Sequence, residues 1–246
     1  MASDLKQDWE NVWNLEEFRE VDERSLVFGI VNSILARYPK GSMALDAGSG
    51  LGQWVFYFER LGYKGYGIDI VKEAVKRCLA KAEAENSGSD FRVGDIRQMP
   101  FEDDFFDAIV SFGAIEHFPE TEKAIAEIYR VLKNSGTALI TVPNVFSIRT
   151  LITRPILNIL KTPQFGYQGY EKSYRPKQLA KMMERAGFKH LKCGILPDGV
   201  LLGDFYRFLP FLGKSLGTIA RKISFWIEKR QNILGHMAYC RGIKDK

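Results

Sequence analysis

Three glycines at alternate positions, Gly48, Gly50 and Gly52, follow a short apolar stretch of the sequence. Because glycine has no Cβ, a ligand can lie directly against the backbone of such a turn, and the helix that follows offers its N-terminal amides. Two acids, Asp69 and Asp95, stand farther along where the next strands are expected to end. A carboxylate at the first position can accept hydrogen bonds from both hydroxyls of a ribose, and one at the second can accept from an exocyclic adenine amine. The pattern therefore indicates a nucleoside-binding edge of an open α/β sheet.

The elements that must position these residues alternate along the chain. Short apolar stretches typical of buried strands are separated by stretches with helical periodicity. Predicted strands cover residues 42–46, 65–70, 91–94, 108–112, 137–142, 188–195 and 237–241. Predicted helices cover residues 22–38, 52–61, 72–85, 121–133, 148–160 and 176–186, with more helical sequence over 196–234. This alternation predicts a mostly parallel sheet covered by helices on both faces, with the carboxyl ends of its strands at one edge.

No linker divides the chain, which predicts a single domain over residues 1–246. Within it we expect the following parts: an N-terminal helical lid (1–40), a core (40–195), a helical insertion (196–235), and a last strand with its tail (236–246). Apolar residues recur at helical spacing inside the insertion, with basic residues mostly on the other side. We expect this amphipathic stretch, residues 205–230, to dock on the core, to close over a pocket, or to lie on an anionic membrane surface.

Composition excludes several classes of protein. The chain has 246 residues, of which 46% are hydrophobic and 26% charged, enough for a sizeable core and unlike a disordered or fibrous protein. No apolar run reaches the roughly 18–20 residues of a membrane-spanning helix, and the N-terminus lacks the pattern of a signal peptide. The three cysteines, Cys78, Cys193 and Cys240, show no zinc-binding spacing. They predict reduced thiols, a cytoplasmic protein and no metal site.

The net charge of +5 conceals an asymmetry. Residues 1–140 carry 16 Lys and Arg against 24 Asp and Glu, whereas residues 141–246 carry 19 against 6. The basic C-terminal part predicts an anionic partner, such as a phosphorylated substrate, a membrane surface or nucleic acid. A solvated basic surface without a partner is the alternative.

The order of these motifs resembles the class I S-adenosylmethionine-dependent methyltransferases, and among them the small-molecule, type 11 (ubiquinone-biosynthesis-like) group. The matching segments are residues 45–52, 67–69, 94–95, 106–118, 130–137 and 186–188. The resemblance covers residues 40–195, most of the chain. It implies a Rossmann-like three-layer α/β/α fold with seven strands, the last antiparallel. It also implies S-adenosyl-L-methionine as cofactor, with S-adenosyl-L-homocysteine as product.

The resemblance also assigns roles to individual residues. The glycine turn would pass beneath the methionine and ribose of the cofactor, Asp69 would hold the ribose, and Asp95 would meet the adenine amine. Phe112 and Gly113 would line the methionine side. The implied cofactor-binding set is Asp46, Ala47, Gly48, Ser49, Gly50, Gly52, Asp69, Ile70, Asp95, Ile96, Phe112, Gly113 and Trp13. The alternative is structural: the glycines would only form a tight turn, and the acids would only cap helices.

Methyl transfer from a sulfonium needs a general base only when the nucleophile carries a proton of high pKa. His117, just after the fourth predicted strand, is the candidate catalytic residue. Its neighbour Glu116 is a second candidate. A loop-packing role for His117 is the alternative. The candidate substrate-binding residues follow the fifth predicted strand: Asn144, Tyr167, Tyr170 and Tyr174. They predict a small-molecule or lipid-linked acceptor. The basic C-terminal part of the chain would suit an anionic one.

Three other readings stay open. A NAD(P)-dependent oxidoreductase needs the glycine spacing G-x-G-x-x-G, and here the third glycine comes one position early. A non-catalytic nucleotide-binding protein would keep the same turn. Methylation of nucleic acid is disfavoured, because residues 141–144 match poorly the tetrapeptide that binds base amines.

Trp9 and Trp13 share one helical face and predict either a lid over the cofactor or docking of a terminal helix. The sequence leaves monomer and homodimer open.

Overall fold

A computed structural model of the chain describes residues 9–10, 12–14, 16–147, 150–151, 170–196 and 235–245. The predicted helix over 148–160, the insertion over 196–235 apart from its ends, and Tyr167 lie outside the described residues. The architecture below therefore concerns the remaining elements, which include every predicted strand.

The strands form one seven-stranded sheet in the order β3-β2-β1-β4-β5-β7-β6. Their bounds are β1 Met43–Ala47, β2 Lys64–Asp69, β3 Asp90–Val93, β4 Phe106–Phe112, β5 Leu132–Pro143, β6 Phe188–Leu196 and β7 Met237–Lys244. Strands β1 to β5 pair in parallel, and β7 runs antiparallel between β5 and β6. The predicted three-layer α/β/α fold with an antiparallel last strand is confirmed. The chain order reverses between β1 and β4, which is where open α/β sheets bind their ligands.

The described helices of eight or more residues are α1 Leu26–Leu35, α2 Gln53–Arg60, α3 Lys72–Ala84, α4 Thr121–Val131 and α5 Pro176–Arg185. A 3₁₀ turn, Ile115–His117, follows β4. Helix α1 is shorter than the predicted 22–38 because the side chain of Ser25 caps it by accepting the amide of Phe28. Apolar side chains of α4 and α5 pack in one core cluster, and those of α1 and α2 pack in another with the sheet between them.

The boundary between α4 and β5 differs from the prediction. The helix ends at Val131, and Leu132 already pairs with Phe106 as the first residue of β5. Lys133 therefore lies in a strand rather than in a last helical turn, and its ammonium is 3.0 Å from the carboxylate of Asp107.

The prediction of three reduced cysteines is wrong for two of them. Cys193 of β6 and Cys240 of β7 are register partners in adjacent antiparallel strands, and the structure joins them in a disulfide. Because they are 47 residues apart along the chain, the sequence does not show that they are neighbours until the strands are paired. Cys78 is a free, buried thiol, and burial raises its pKa to about 12.

Candidate active site

A cavity of about 200 Å³ opens at the carboxyl ends of the strands on either side of the reversal. Its lining combines small, acidic and aromatic side chains. The lining residues are Trp9, Trp13, Asp46, Gly48, Ser49, Gln53, Trp54, Asp69, Ile70, Gly94, Ile96, Phe112, Gly113, Ala114, His117 and Phe118. Most of the predicted cofactor residues therefore meet in one place, as the sequence indicated. Ala47, Gly50, Gly52 and Asp95 stand behind this lining rather than in it.

The glycine turn has a backbone conformation that side chains at Gly48 and Gly52 would prevent. Gly48 has a φ of +88°, and a Cβ on it would be 2.4 Å from the Cβ of Ala114. Gly52 has a φ of +71°, and a Cβ there would meet the ring of Phe91 at 2.5 Å. Gly52 thus serves the start of α2 and its packing on β3, so its predicted place beneath the cofactor is replaced by a structural role.

Two buried polar groups in the cavity lack hydrogen-bond partners among the described residues. Oδ1 of Asp46 and Oγ of Ser49 have none, although both residues are less than 10% exposed. Burial, together with the neighbouring charge of Asp69, raises the pKa of Asp46 well above its ordinary value. Native proteins rarely leave such groups unsatisfied. The two atoms are therefore suited to the donors and acceptors of a bound ligand.

Asp69 ties the end of β2 to the glycine turn. One carboxylate oxygen accepts the amide of Gly50 at 2.8 Å, and the other accepts the amide of Val71 at 2.9 Å. Burial raises the pKa of Asp69, although these backbone hydrogen bonds oppose the effect. Asp69 therefore does not cap helix α3, whose N-cap is Val71 with no side-chain capping bond, and it lies on the cavity. Each oxygen still has a second lone pair for a ligand hydroxyl.

The carboxylate of Asp95 binds Arg97 and is not part of the cavity lining. Arg97 binds its carboxylate through Nε and Nη2, with the shortest contact at 2.7 Å, and the same Arg97 reaches Glu120 at 2.7 Å. Burial acts to raise the pKa of Asp95, but hydrogen bonds from Arg97 outweigh it, so the pKa is below its ordinary value. The cavity wall at this position is made by Gly94 and Ile96 on either side.

Two tryptophans of the N-terminal segment cover the cavity. The rings of Trp9 and Trp13 stack with centroids 5.6 Å apart, and Trp9 meets the ring of His117 edge-on at 5.0 Å. Arg77 of α3 holds this segment by donating hydrogen bonds to the carbonyl oxygens of Trp13 and Glu16. Trp9 and Trp13 therefore line the cavity, and a lid function for this segment stays a prediction.

His117 lies on the wall of the cavity. Its ring is 6% exposed, and Nδ1 lies 3.0 Å from the carbonyl oxygen of Tyr170. Because a carbonyl only accepts, Nδ1 carries the proton in this contact, which leaves Nε2 as the basic nitrogen. Glu116, 1% exposed, places Oε1 3.9 Å from Nε2 of His117.

Two predicted substrate residues are structural instead. Asn144 is fully buried, and its amide donates to the carbonyl of Gly235 at 2.9 Å. Tyr174 is 4% exposed, and its hydroxyl bonds the hydroxyl of Thr121 at 2.8 Å. Both are absent from the cavity lining because an isolated bridge pairs them with each other next to β5. Tyr170 is exposed and meets the site through its backbone.

Comparison with known proteins identifies a methyltransferase domain within the chain. A family model described as a methyltransferase domain matches residues 45–140. Over 99 residues the chain is 35% identical to the uncharacterized methyltransferase YcgJ of Bacillus subtilis, which covers 39% of this chain and 38% of the relative. The matched domain supports the resemblance of the chain to the class I S-adenosylmethionine-dependent methyltransferases.

Solved methyltransferase-fold structures match over more of the chain. Phosphoethanolamine N-methyltransferase 2 of Haemonchus contortus, in complex with S-adenosyl-L-methionine, has a TM-score of 0.64 at 18% identity and covers 98% of this chain and 56% of that one. The [4+2]-cyclase SpnF has a TM-score of 0.62 at 19% identity and covers 99% and 94%. Likeness at this identity shows the fold alone, and these two proteins share the fold although their names refer to different reactions.

The residues of the cavity fit S-adenosyl-L-methionine, the cofactor of the methyltransferases that the chain resembles. S-adenosyl-L-methionine carries an ammonium and a sulfonium, and the cavity offers the acids Asp46 and Asp69 together with aromatic rings. Within the described part of the chain, no group of three or more metal-ligating side chains occurs, and no helix is long and apolar enough to cross a bilayer. The nicotinamide oxidoreductase finds no support in the relatives.

Sequence reasoning missed several residues that line the cavity. Gln53 and Trp54 open α2 directly after the glycine turn, and Trp54 packs on Phe112 with ring centroids 5.1 Å apart. Their position at the first helical turn of a nucleotide-binding motif is the pattern that indicates a place on the ligand. Ala114 and Phe118 flank the 3₁₀ turn that carries His117, a local structure that periodicity does not reveal.

Proposed function

We propose that this protein transfers the methyl group of S-adenosyl-L-methionine to a small-molecule acceptor by in-line displacement. The observation that carries the proposal is the pair of unsatisfied buried groups, Asp46 Oδ1 and Ser49 Oγ, in an aromatic cavity at the reversal of the sheet. Buried polar atoms without partners cost free energy unless a ligand satisfies them. The cofactor matches this demand because its amino acid end supplies both donors and acceptors.

When bound, the cofactor supplies a methyl group on a positively charged sulfur, which is a good leaving group. The protein therefore needs mainly to align the reactants and to exclude water. We assign alignment to the glycine turn and to Asp69, which fixes that turn through the amide of Gly50. We assign exclusion of water to the lid tryptophans Trp9 and Trp13.

His117 is the group that we assign to the acceptor proton. It lies on the cavity, the carbonyl of Tyr170 fixes its Nδ1–H form, and Nε2 is then suited to accept a proton. An acceptor that arrives deprotonated would need no such base, so dependence of turnover on His117 tests the assignment. A His117→Gln variant, which retains polar size without the basic nitrogen, is the appropriate substitution.

Calorimetric titration tests the cofactor assignment directly. We expect S-adenosyl-L-methionine and S-adenosyl-L-homocysteine to bind and to stabilise the fold thermally, and NAD or NADP to do neither. The reverse preference would contradict the proposal. Incubation of cell extract with enzyme and labelled methyl donor, followed by untargeted metabolite profiling, then identifies the acceptor. Binding of the donor without transfer of label to any component would favour a non-catalytic binding protein.

The sequence of residues 196–235 contains basic residues, which would suit a lipid-linked or anionic acceptor. We propose that this insertion contributes to the acceptor pocket. Deletion of residues 200–232 with a short glycine bridge should abolish acceptor turnover while donor binding persists. Sedimentation with anionic and neutral liposomes tests contact of residues 205–230 with a membrane, and absence of binding to anionic liposomes at low salt would contradict that contact.

A further inference from the structure

Three large apolar side chains are exposed just beyond the carboxyl end of β5. Phe146, Leu151 and Tyr170 are 38%, 54% and 46% exposed. Single exposed apolar residues are ordinary on the surface of a globular protein, but several that share one surface mark a place where a partner binds.

The two segments that carry these side chains lie side by side. Val145 donates its amide to the carbonyl oxygen of Tyr174 at 3.3 Å, and the hydroxyl oxygens of Thr150 and Ser173 are 3.5 Å apart. Exposed side chains on residues 145–151 and 170–175 therefore share one surface.

Two cations accompany the apolar side chains. Arg175 is exposed, and its guanidinium lies 4.7 Å from the ring centroid of Phe146. Lys172 is exposed, and its ammonium lies 5.2 Å from the ring centroid of Tyr174. Among the described residues of 144–151 and 170–175, the only acid is Glu171, which is half-buried. We call the five exposed residues Phe146, Leu151, Tyr170, Lys172 and Arg175 the Phe146 patch.

The Phe146 patch borders the cavity. The carbonyl oxygen of Tyr170 lies 3.0 Å from Nδ1 of His117, which lines the cavity wall. Lys172 donates its amide to the carbonyl oxygen of Glu116, the neighbour of His117, at 3.1 Å. A partner seated on the patch would therefore lie beside the cavity.

We propose that the Phe146 patch docks the protein on the surface of an anionic phospholipid bilayer. Phe146, Leu151 and Tyr170 would enter the boundary between headgroups and acyl chains, where apolar and aromatic side chains are favoured. Lys172 and Arg175 would meet the anionic headgroups, so that the charges of the patch and the bilayer are complementary. This contact is separate from methyl transfer and from the contact proposed for residues 205–230.

Other partners would use only part of the patch. A nucleic acid would pair with the two cations and could stack bases on the aromatic rings, but it would give little to Leu151, the most exposed of the apolar side chains. A second copy of the chain, placed symmetrically, would bring the cations of both patches together. A bilayer takes up the apolar and the charged side chains at once.

Co-sedimentation of the full-length protein with vesicles tests the docking. One set of vesicles contains phosphatidylcholine alone, and the other contains phosphatidylglycerol as well. We expect the wild type to bind the mixed vesicles at low salt and the neutral ones about tenfold more weakly. Failure to bind the mixed vesicles would overturn the inference.

Two variants locate the contact on the patch. Lys172→Gln/Arg175→Gln should weaken binding to the mixed vesicles by roughly 10- to 30-fold, because each cation near an anionic surface contributes to the attraction. Leu151→Ser should weaken it about fivefold, because less apolar surface leaves water. The control Lys76→Gln/Leu79→Ser loses an exposed cation and an exposed leucine on α3, which packs on β3 at the other end of the sheet, and should bind as the wild type does.

The outcomes separate this contact from its alternatives. Wild-type binding to vesicles by both patch variants, each verified as folded by circular dichroism, would overturn the inference even if another segment reaches the membrane. Preference for single-stranded RNA over vesicles, or self-association in sedimentation velocity that the patch variants abolish, would replace the bilayer by that partner. Calorimetry with S-adenosyl-L-methionine is run on the same proteins, and its failure in the wild type would contradict the proposed function without bearing on the docking.

Discussion

The indole ring of Trp13 lies against the backbone of Gly50, so closely that a Cβ at Gly50 would be 2.6 Å from two of its ring atoms. Gly50 also has a φ of +50°, in the left-handed region that other residues rarely adopt. The lid and the glycine turn therefore depend on one another: the aromatic segment reaches the turn because position 50 carries no side chain.

Substitution Gly50→Val should abolish binding of S-adenosyl-L-methionine, because the branched side chain displaces Trp13 and distorts the turn that aligns the cofactor. Gly41→Val is the matched control, since Gly41 also has a positive φ, +87°, but has open space around it. Calorimetry on folded protein, verified by circular dichroism, gives the result. Partial recovery in Gly50→Val/Trp13→Ala would assign the loss to the clash, and wild-type affinity in Gly50→Val would mean that the ligand does not lie on this turn.

Replacement of Asp69 by alanine should weaken donor binding by about 1–3 kcal/mol, the usual cost of removing a charged hydrogen-bond partner. It should also lower thermal stability, because the buried amides of Gly50 and Val71 lose their acceptor. Asp103→Ala serves as control, since Asp103 is exposed and pairs with Arg130 away from the cavity. Reduced stability with unchanged donor affinity would leave Asp69 a purely structural residue.

Tyr174→Phe distinguishes packing from acceptor binding. Loss of the buried hydrogen bond to Thr121 should destabilise the fold by about 1 kcal/mol, while acceptor KM stays at the wild-type value. Urea unfolding and steady-state kinetics measure the two effects. A raised KM with unchanged stability would return Tyr174 to the substrate site that the sequence predicted.

The sequence predicted those parts of the site that depend on local order along the chain. Gly48 follows β1 directly, Asp69 and Phe112 are the last residues of β2 and β4, and parallel strands bring their carboxyl ends to one edge. The sequence therefore allowed the prediction that these three residues line one cavity.

The errors fall where residues distant in sequence decide the outcome. Asn144 and Tyr174 stand in polar-looking segments, but their mutual bridge buries them. Arg97 diverts the carboxylate of Asp95 through a side-chain contact that spacing does not encode. The Cys193–Cys240 pair depends on strand register, which no sequence pattern in either segment specifies.

Asp46 provides a prediction in which stability and binding move in opposite directions. Its pKa in the folded protein is raised well above the ordinary value of about 3.9, mainly by burial and further by Asp69. Between these two values the folded state holds more protons than the unfolded state, so the stability of the ligand-free protein falls as pH rises through that window. Asp46→Asn removes this penalty and should raise the melting temperature at pH 7.

The same substitution should weaken binding of S-adenosyl-L-methionine at pH 7, because an amide cannot pair with the ligand's ammonium as a carboxylate does. Below the ordinary carboxyl pKa the two proteins should have equal stability, since Asp46 is then protonated in both states. Melting curves from pH 3.5 to 8, with and without donor, measure both effects. A melting temperature that drops at pH 7 in Asp46→Asn would show that Asp46 is satisfied in the ligand-free protein, and the cofactor would lose the unsatisfied oxygen on which its assignment rests.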